Sequence, residues 1–126
     1  KEALEALLNG LFFLKSIEMY MQRQRYEISE DEIHYIRSFD GYAEVYVGEK
    51  SFRRNNSLDE LEKILNPTLF VRISREILVN LRWVQNVNDG KVLLAGKALR
   101  VSRRREREVR RKYIEYDIRY REIVEG

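Results

Sequence analysis

Four glycine-bearing turns restrict this chain more than any other feature. Residues 39–41 read FDG, 48–50 read GEK, 88–90 read NDG and 96–97 read GK. Turns this tight join antiparallel neighbours and leave no room for a crossover helix. NDG is the strongest hairpin signal of the four, because Asn, Asp and Gly tolerate the positive φ that such turns require. Between FDG and GEK, Ala43, Val45 and Val47 alternate with Tyr42, Glu44 and Tyr46. That period of two describes a half-buried strand, turned back by GEK into SFRR at 51–54.

The same reading extends outward. Residues 17–28, where Ile17, Met19 and Met21 alternate with polar neighbours, read as one strand. SEDE at 29–32 caps a single helical turn, and 33–38 is a second strand. Ser57 and Glu60 form a capping box, in which the hydroxyl accepts a free amide and the carboxylate reaches back. Leu58, Leu61, Ile64 and Leu65 then share one face, and Pro67 ends the helix. A second β section takes in 69–73, 83–87, 91–95 and 99–101.

From Ser102 there is no Gly or Pro until Gly126, and Val109, Tyr113, Tyr116, Tyr120 and Ile123 fall at heptad spacing. A helix is expected there, its stripe packing on the chain's own body. A homodimer or a partner helix through the terminal helices is the alternative. At the other end, EALEALLNGLFFL reads as a short linker or docking helix within residues 1–16. Gly10 weakens it by about 1 kcal/mol relative to alanine. The order is helix, strands, short helix, strands, helix: a mainly β chain with a few helices (α+β) and no internal repeat.

With 126 residues, 44% of them hydrophobic, the chain can bury one core. It has no cysteine, which excludes disulfides, thiolate zinc sites and cysteine nucleophiles and fits a reducing compartment. No apolar run approaches the roughly 20 residues that span a bilayer, and no signal peptide is visible. A cytoplasmic location with no membrane contact is expected. The first residue is Lys1 and not Met, which leaves open whether a receiver domain, a membrane segment or nothing precedes it.

Enzymatic signatures are missing. The six glycines form neither GxGxxG nor GxxxxGK, and no cofactor is expected. His34 is the single histidine, so no two-histidine metal motif exists, and a half-exposed strand position explains it best. Asp31 and Glu32 are adjacent carboxylates, which a capped turn accounts for.

The net charge of +3 conceals a sharp asymmetry. Residues 1–70 carry nine Lys and Arg against thirteen Asp and Glu, residues 71–112 thirteen against four, and residues 113–126 two against four. Within the basic block, LFVRISREILVN places Arg72 and Arg75 around the end of an apolar run. Arg103, Arg104 and Arg105 follow directly on the strand LRV. Lysine and arginine on phosphates supply affinity for DNA, while arginine forks read guanine edges. Loops at strand ends can present both. A protein-interaction module using the basic strip and the tyrosine-striped helix is the competing reading. RNA binding on a β-surface ranks last, because no RNP-like aromatic motif is present.

DEIHYIRSFDGYAEV, NSLDELEKIL, LFVRISREILVN and ALRVSRR, in this order and spacing, resemble the LytTR-type DNA-binding domain of bacterial transcription regulators, most often response regulators. The resemblance covers residues 17–112 and leaves 113–126 as a helical extension. It implies an elongated stack of mostly antiparallel sheets that binds promoter direct repeats in double-stranded DNA by inserting loops into successive major grooves. Carried over by position, the contacting loops hold Asp40 and Tyr42, then Arg72, Ser74, Arg75 and Glu76, then Ser102, Arg103 and Arg104. Arg75 and Arg104 are the expected base readers, Arg72 and Arg103 the expected phosphate contacts. Glu76 departs from the family's usual serine, which puts the preferred base sequence in question. Asn80, among apolar neighbours, is expected to bond the nearby backbone.

Overall fold

The computed structural model describes residues 16–121. The expected docking helix at 1–16 and the stripe positions Tyr120 and Ile123 therefore lie, wholly or in their side chains, outside the described part. Ten strands run in the order β1 (Ser16–Met21), β2 (Gln24–Ser29), β3 (Tyr35–Phe39), β4 (Tyr42–Val47), β5 (Lys50–Arg54), β6 (Phe70–Ser74), β7 (Ile77–Asn80), β8 (Val84–Asn88), β9 (Lys91–Leu94) and β10 (Lys97–Arg100). Helix α1 (Leu58–Ile64) separates β5 from β6. Helix α2 (Glu106–Tyr116) follows β10 and continues as a wider helical turn over Asp117–Arg121.

The strands form a seven-stranded sheet in the order β2-β1-β5-β4-β3-β7-β6 and a three-stranded sheet in the order β10-β9-β8. All described pairings are antiparallel. This is the expected mainly β, antiparallel architecture, and the turn chemistry explains most of it. Asp89 and Gly90 have φ of 52° and 69°, as the NDG motif requires, and Ala95 and Gly96 have 51° and 74°.

Two strand assignments need correction. Residues 17–28 are a hairpin rather than one strand, turning at Gln22 and Arg23 with φ of 50° and 67°. Neither residue advertises that left-handed conformation, which usually falls to glycine or asparagine. Strand β7 is absent from the sequence reading, because its four residues are all buried and show no alternation.

The core is continuous across both sheets and both helices. Ile36, Val45 and Leu78 from the large sheet, Leu58 and Leu61 from α1, Val92 and Leu94 from the small sheet, and Val109 and Tyr116 from α2 belong to one buried cluster. Ser57 caps α1 as the sequence indicates: its hydroxyl accepts from Glu60 N at 3.1 Å, and Glu60 accepts from Ser57 N at 2.9 Å. The tyrosine stripe, where described, faces inward: Tyr116 is buried, and the Tyr113 hydroxyl donates to Gln85 O at 3.1 Å.

A buried polar knot locks the entrance to β3. Asn80, fully buried, donates through Nδ2 to Ile33 O at 2.9 Å and to Glu30 O at 3.3 Å, and its Oδ1 accepts from Arg82 N at 3.0 Å. Glu30, equally buried, accepts from Asn66 N at 3.1 Å. Asn80 thus bonds the backbone as its apolar surroundings required. His34 sits beside this knot, half-buried, its ring 4.5 Å from that of Trp83.

Candidate nucleic-acid interface

Three loops carry the residues expected from the sequence, and main-chain hydrogen bonds bind the loops to one another. The β3–β4 turn is joined to the β6–β7 turn by Ser38 N donating to Glu76 O at 2.8 Å. The segment after β10 is joined to β6 by Ser102 N donating to Ile73 O at 2.8 Å. A register shift between Arg72 and Ser74 makes the second link: Ile73 is the extra residue of a bulge, so its carbonyl is free to take Ser102.

The first turn presents Asp40, exposed, and Phe39, whose ring stacks on that of Tyr42 at 5.4 Å. Tyr42 is also covered by the guanidinium of Arg53, 3.8 Å from the ring centroid. This cation–π contact fixes the aromatic pair on the sheet instead of leaving it mobile at a hairpin tip. In the second turn Arg75 and Glu76 are exposed, and Ser74 Oγ accepts from Glu76 N at 3.2 Å. A shallow concavity lined by Arg37, Phe39, Asp40, Arg75 and Glu76 lies between these two turns. A second concavity, lined by Arg37, Ser74, Arg100 and Ser102, continues it toward the third loop, where Arg103 and Arg104 are exposed.

Asp40, Ser74, Arg75, Glu76 and Ser102 thus line two concavities that share Arg37, a rim continued by Tyr42 stacked on Phe39 and by Arg103 and Arg104, which follow Ser102 in the chain. Among the described residues, Arg75, Arg100, Arg103 and Arg104 enter no ion pair, and neither do Asp40 and Glu76. Arg37 and Arg100 belong to this rim and are missing from the set expected from the sequence. The signal is present in alternation, since Arg100 stands between buried Leu99 and Val101, and Arg37 follows buried Ile36.

Arg72 differs from the outward placement expected of it. Its side chain is only 14% exposed, and its guanidinium turns inward. Nη1 donates to Asp59 Oδ1 and to Glu62 Oε1, both at 2.8 Å, Nε donates to Ser74 O at 2.9 Å, and Nη2 donates to Arg75 O. Burial works against its charge, but the two carboxylates more than offset this and hold its pKa above the ordinary arginine value. Asp59, conversely, is held below the ordinary carboxylate value by the Arg72 hydrogen bond. Arg105, near Arg72 and its two carboxylates, is pushed down by burial and by the like charges of Arg104 and Arg72.

Among the described residues no His, Cys, Asp and Glu grouping could hold a metal ion, and no helix is long and apolar enough to cross a membrane. No curated protein matches the chain. Among solved structures, the chain is similar to the LytTr DNA-binding domain of a Bacillus cereus protein described as a methyl-accepting/DNA response regulator. The TM-score is 0.69 at 19% identity, covering 78% of this chain and 95% of that one. The family model for the LytTr DNA-binding domain matches residues 23–114, a span that contains all three loops and both links between them, and the chain accordingly belongs to the LytTr DNA-binding domain family.

Proposed function

We propose that the chain binds double-stranded DNA sequence-specifically, with its three linked loops inserted into major grooves, and that it does so in bacterial transcription regulation. The observation that carries this reading is the rim itself: exposed guanidinium groups without ion pairs, on loops held in fixed relation by main-chain hydrogen bonds. Loops linked in this way lose little backbone entropy on binding. Arg75 and Arg104 read base edges, Arg103 and Arg100 hold phosphates, and Arg37 supports the seam between the loops. Tyr42, Asp40, Ser74 and Ser102 complete the contact surface. Promoter direct repeats are the target, each repeat taken by one copy of the chain, in the cytoplasm.

Glu76 sets the preference. A carboxylate on a DNA-facing loop repels phosphate at every site and is repaid where it accepts from a cytosine amine. The test is selection of preferred sequences from a randomised duplex library, followed by fluorescence anisotropy at several salt concentrations. Affinity for the selected duplex should fall steeply with salt, with a slope of about −0.9 per phosphate contact. Recovery of no preferred sequence, with one salt slope for every duplex, would reject sequence-specific reading.

A further inference from the structure

We infer that Arg72 is a positioning residue for the DNA-reading turn and does not itself touch DNA. The inference rests on the DNA-binding reading above. Three features of the geometry support it. The guanidinium spends its donors on four internal acceptors: two carboxylates of α1 and the carbonyls of Ser74 and Arg75. Those carbonyls belong to the peptide groups on either side of the Arg75 Cα, so the direction in which the Arg75 side chain leaves the turn depends on them. The carboxylates stand on the outer face of α1, whose inner face is anchored in the core by Leu58 and Leu61. Arg72 therefore ties a bulged, strand-end turn to the rigid body of the molecule.

From the opposite side, Ser38 N holds the carbonyl of Glu76. The base-reading turn is thus clamped between α1 and β3. A lysine at position 72 has one compact ammonium and cannot reach four acceptors arranged around a planar fork. Asp59 and Glu62, three residues apart on one face of α1, are part of the same device.

The two roles open to Arg72 separate experimentally. We would measure the full chain against the duplex selected above and against poly(dI-dC), over a series of salt concentrations. The comparison takes in Arg72→Ala, Arg72→Lys and the double variant Asp59→Asn with Glu62→Gln. If Arg72 held a phosphate, its truncation would weaken both DNAs alike and make the salt slope shallower by about one phosphate. The positioning role predicts that Arg72→Lys, which keeps the charge, weakens the selected duplex by about tenfold with poly(dI-dC) affinity and both slopes unchanged, and that Arg72→Ala lowers the ratio of selected to poly(dI-dC) affinity about tenfold with both slopes unchanged.

The acidic pair gives the sharper contrast. Neutralising Asp59 and Glu62 adds two units of positive charge, which by charge alone strengthens binding to any DNA. The clamp predicts the opposite for discrimination: the ratio of selected to poly(dI-dC) affinity falls about tenfold. If that ratio holds while overall affinity rises, or if Arg72→Ala lowers the slope for both DNAs, the inference is overturned. Thermal melts of each variant separate lost positioning from lost folding. Should the wild-type chain itself show no preference, the DNA reading has failed and not the clamp alone.

Discussion

At the scale of single residues, the same side chain type does unlike work depending on what surrounds it. Arg75 and Arg72 are three positions apart, yet one is exposed without an ion pair and the other is consumed by internal acceptors. Truncating Arg75 to alanine should cost about 1–3 kcal/mol of specific binding and relax the preference at one base pair. Lys63→Ala, an exposed change on α1, should leave binding alone, and equal effects of the two by anisotropy would displace Arg75 from its assigned role. Asn80→Ala addresses the fold instead. It strips buried carbonyls of Glu30 and Ile33 of a donor, and should cost about 2–4 kcal/mol in urea unfolding. His34 makes stability depend on pH. Burial lowers its pKa from the ordinary 6.5, so the unfolded chain takes up the proton first as acidity increases. Stability should then fall as pH drops through about 6.5, and His34→Gln should flatten that slope in thermal melts. Asp31, whose carboxyl is raised by burial, acts with the opposite sign in the lower carboxylate range.

At the scale of elements, what could be read in the sequence depended on whether a strand had a wet side. β4 alternates and was legible residue by residue, as were the capping box of α1 and the NDG hairpin. β7 is covered on both faces, its pattern is four apolar or buried residues in a row, and no period exists to detect. The β1–β2 turn escaped for a different reason: Gln22 and Arg23 adopt a conformation their side chains disfavour. Replacing Gln22 and Arg23 with Asn and Gly should therefore stabilise the chain by about 0.5–1 kcal/mol, measured as a raised urea midpoint. An unchanged midpoint would mean that tertiary packing already relieves the strain. The rim was legible as to which loops carry it, because the basic residues cluster at strand ends. The inward turn of Arg72 was not, because its partners lie 13 and 10 residues upstream on a helix whose outer face looks merely solvated.

At the scale of the whole molecule, the strand order decides what the rim is made from. β3 lies between β4 and β7, so Arg37 stands opposite Ile77, and the first turn meets a turn some forty residues later in the chain. The bulge at Ile73 then receives Ser102, from beyond the small sheet. No hairpin on its own contains more than one of the three loops. Pairings between distant parts of a chain close late, after local hairpins have formed, and the loop entropy they must overcome slows them. A chain with only its hairpins formed would thus have nothing with which to grip a duplex. Regained DNA affinity in a stopped-flow refolding experiment should track the slowest phase of core formation, making occupancy of an operator a report that the last long-range junction has closed.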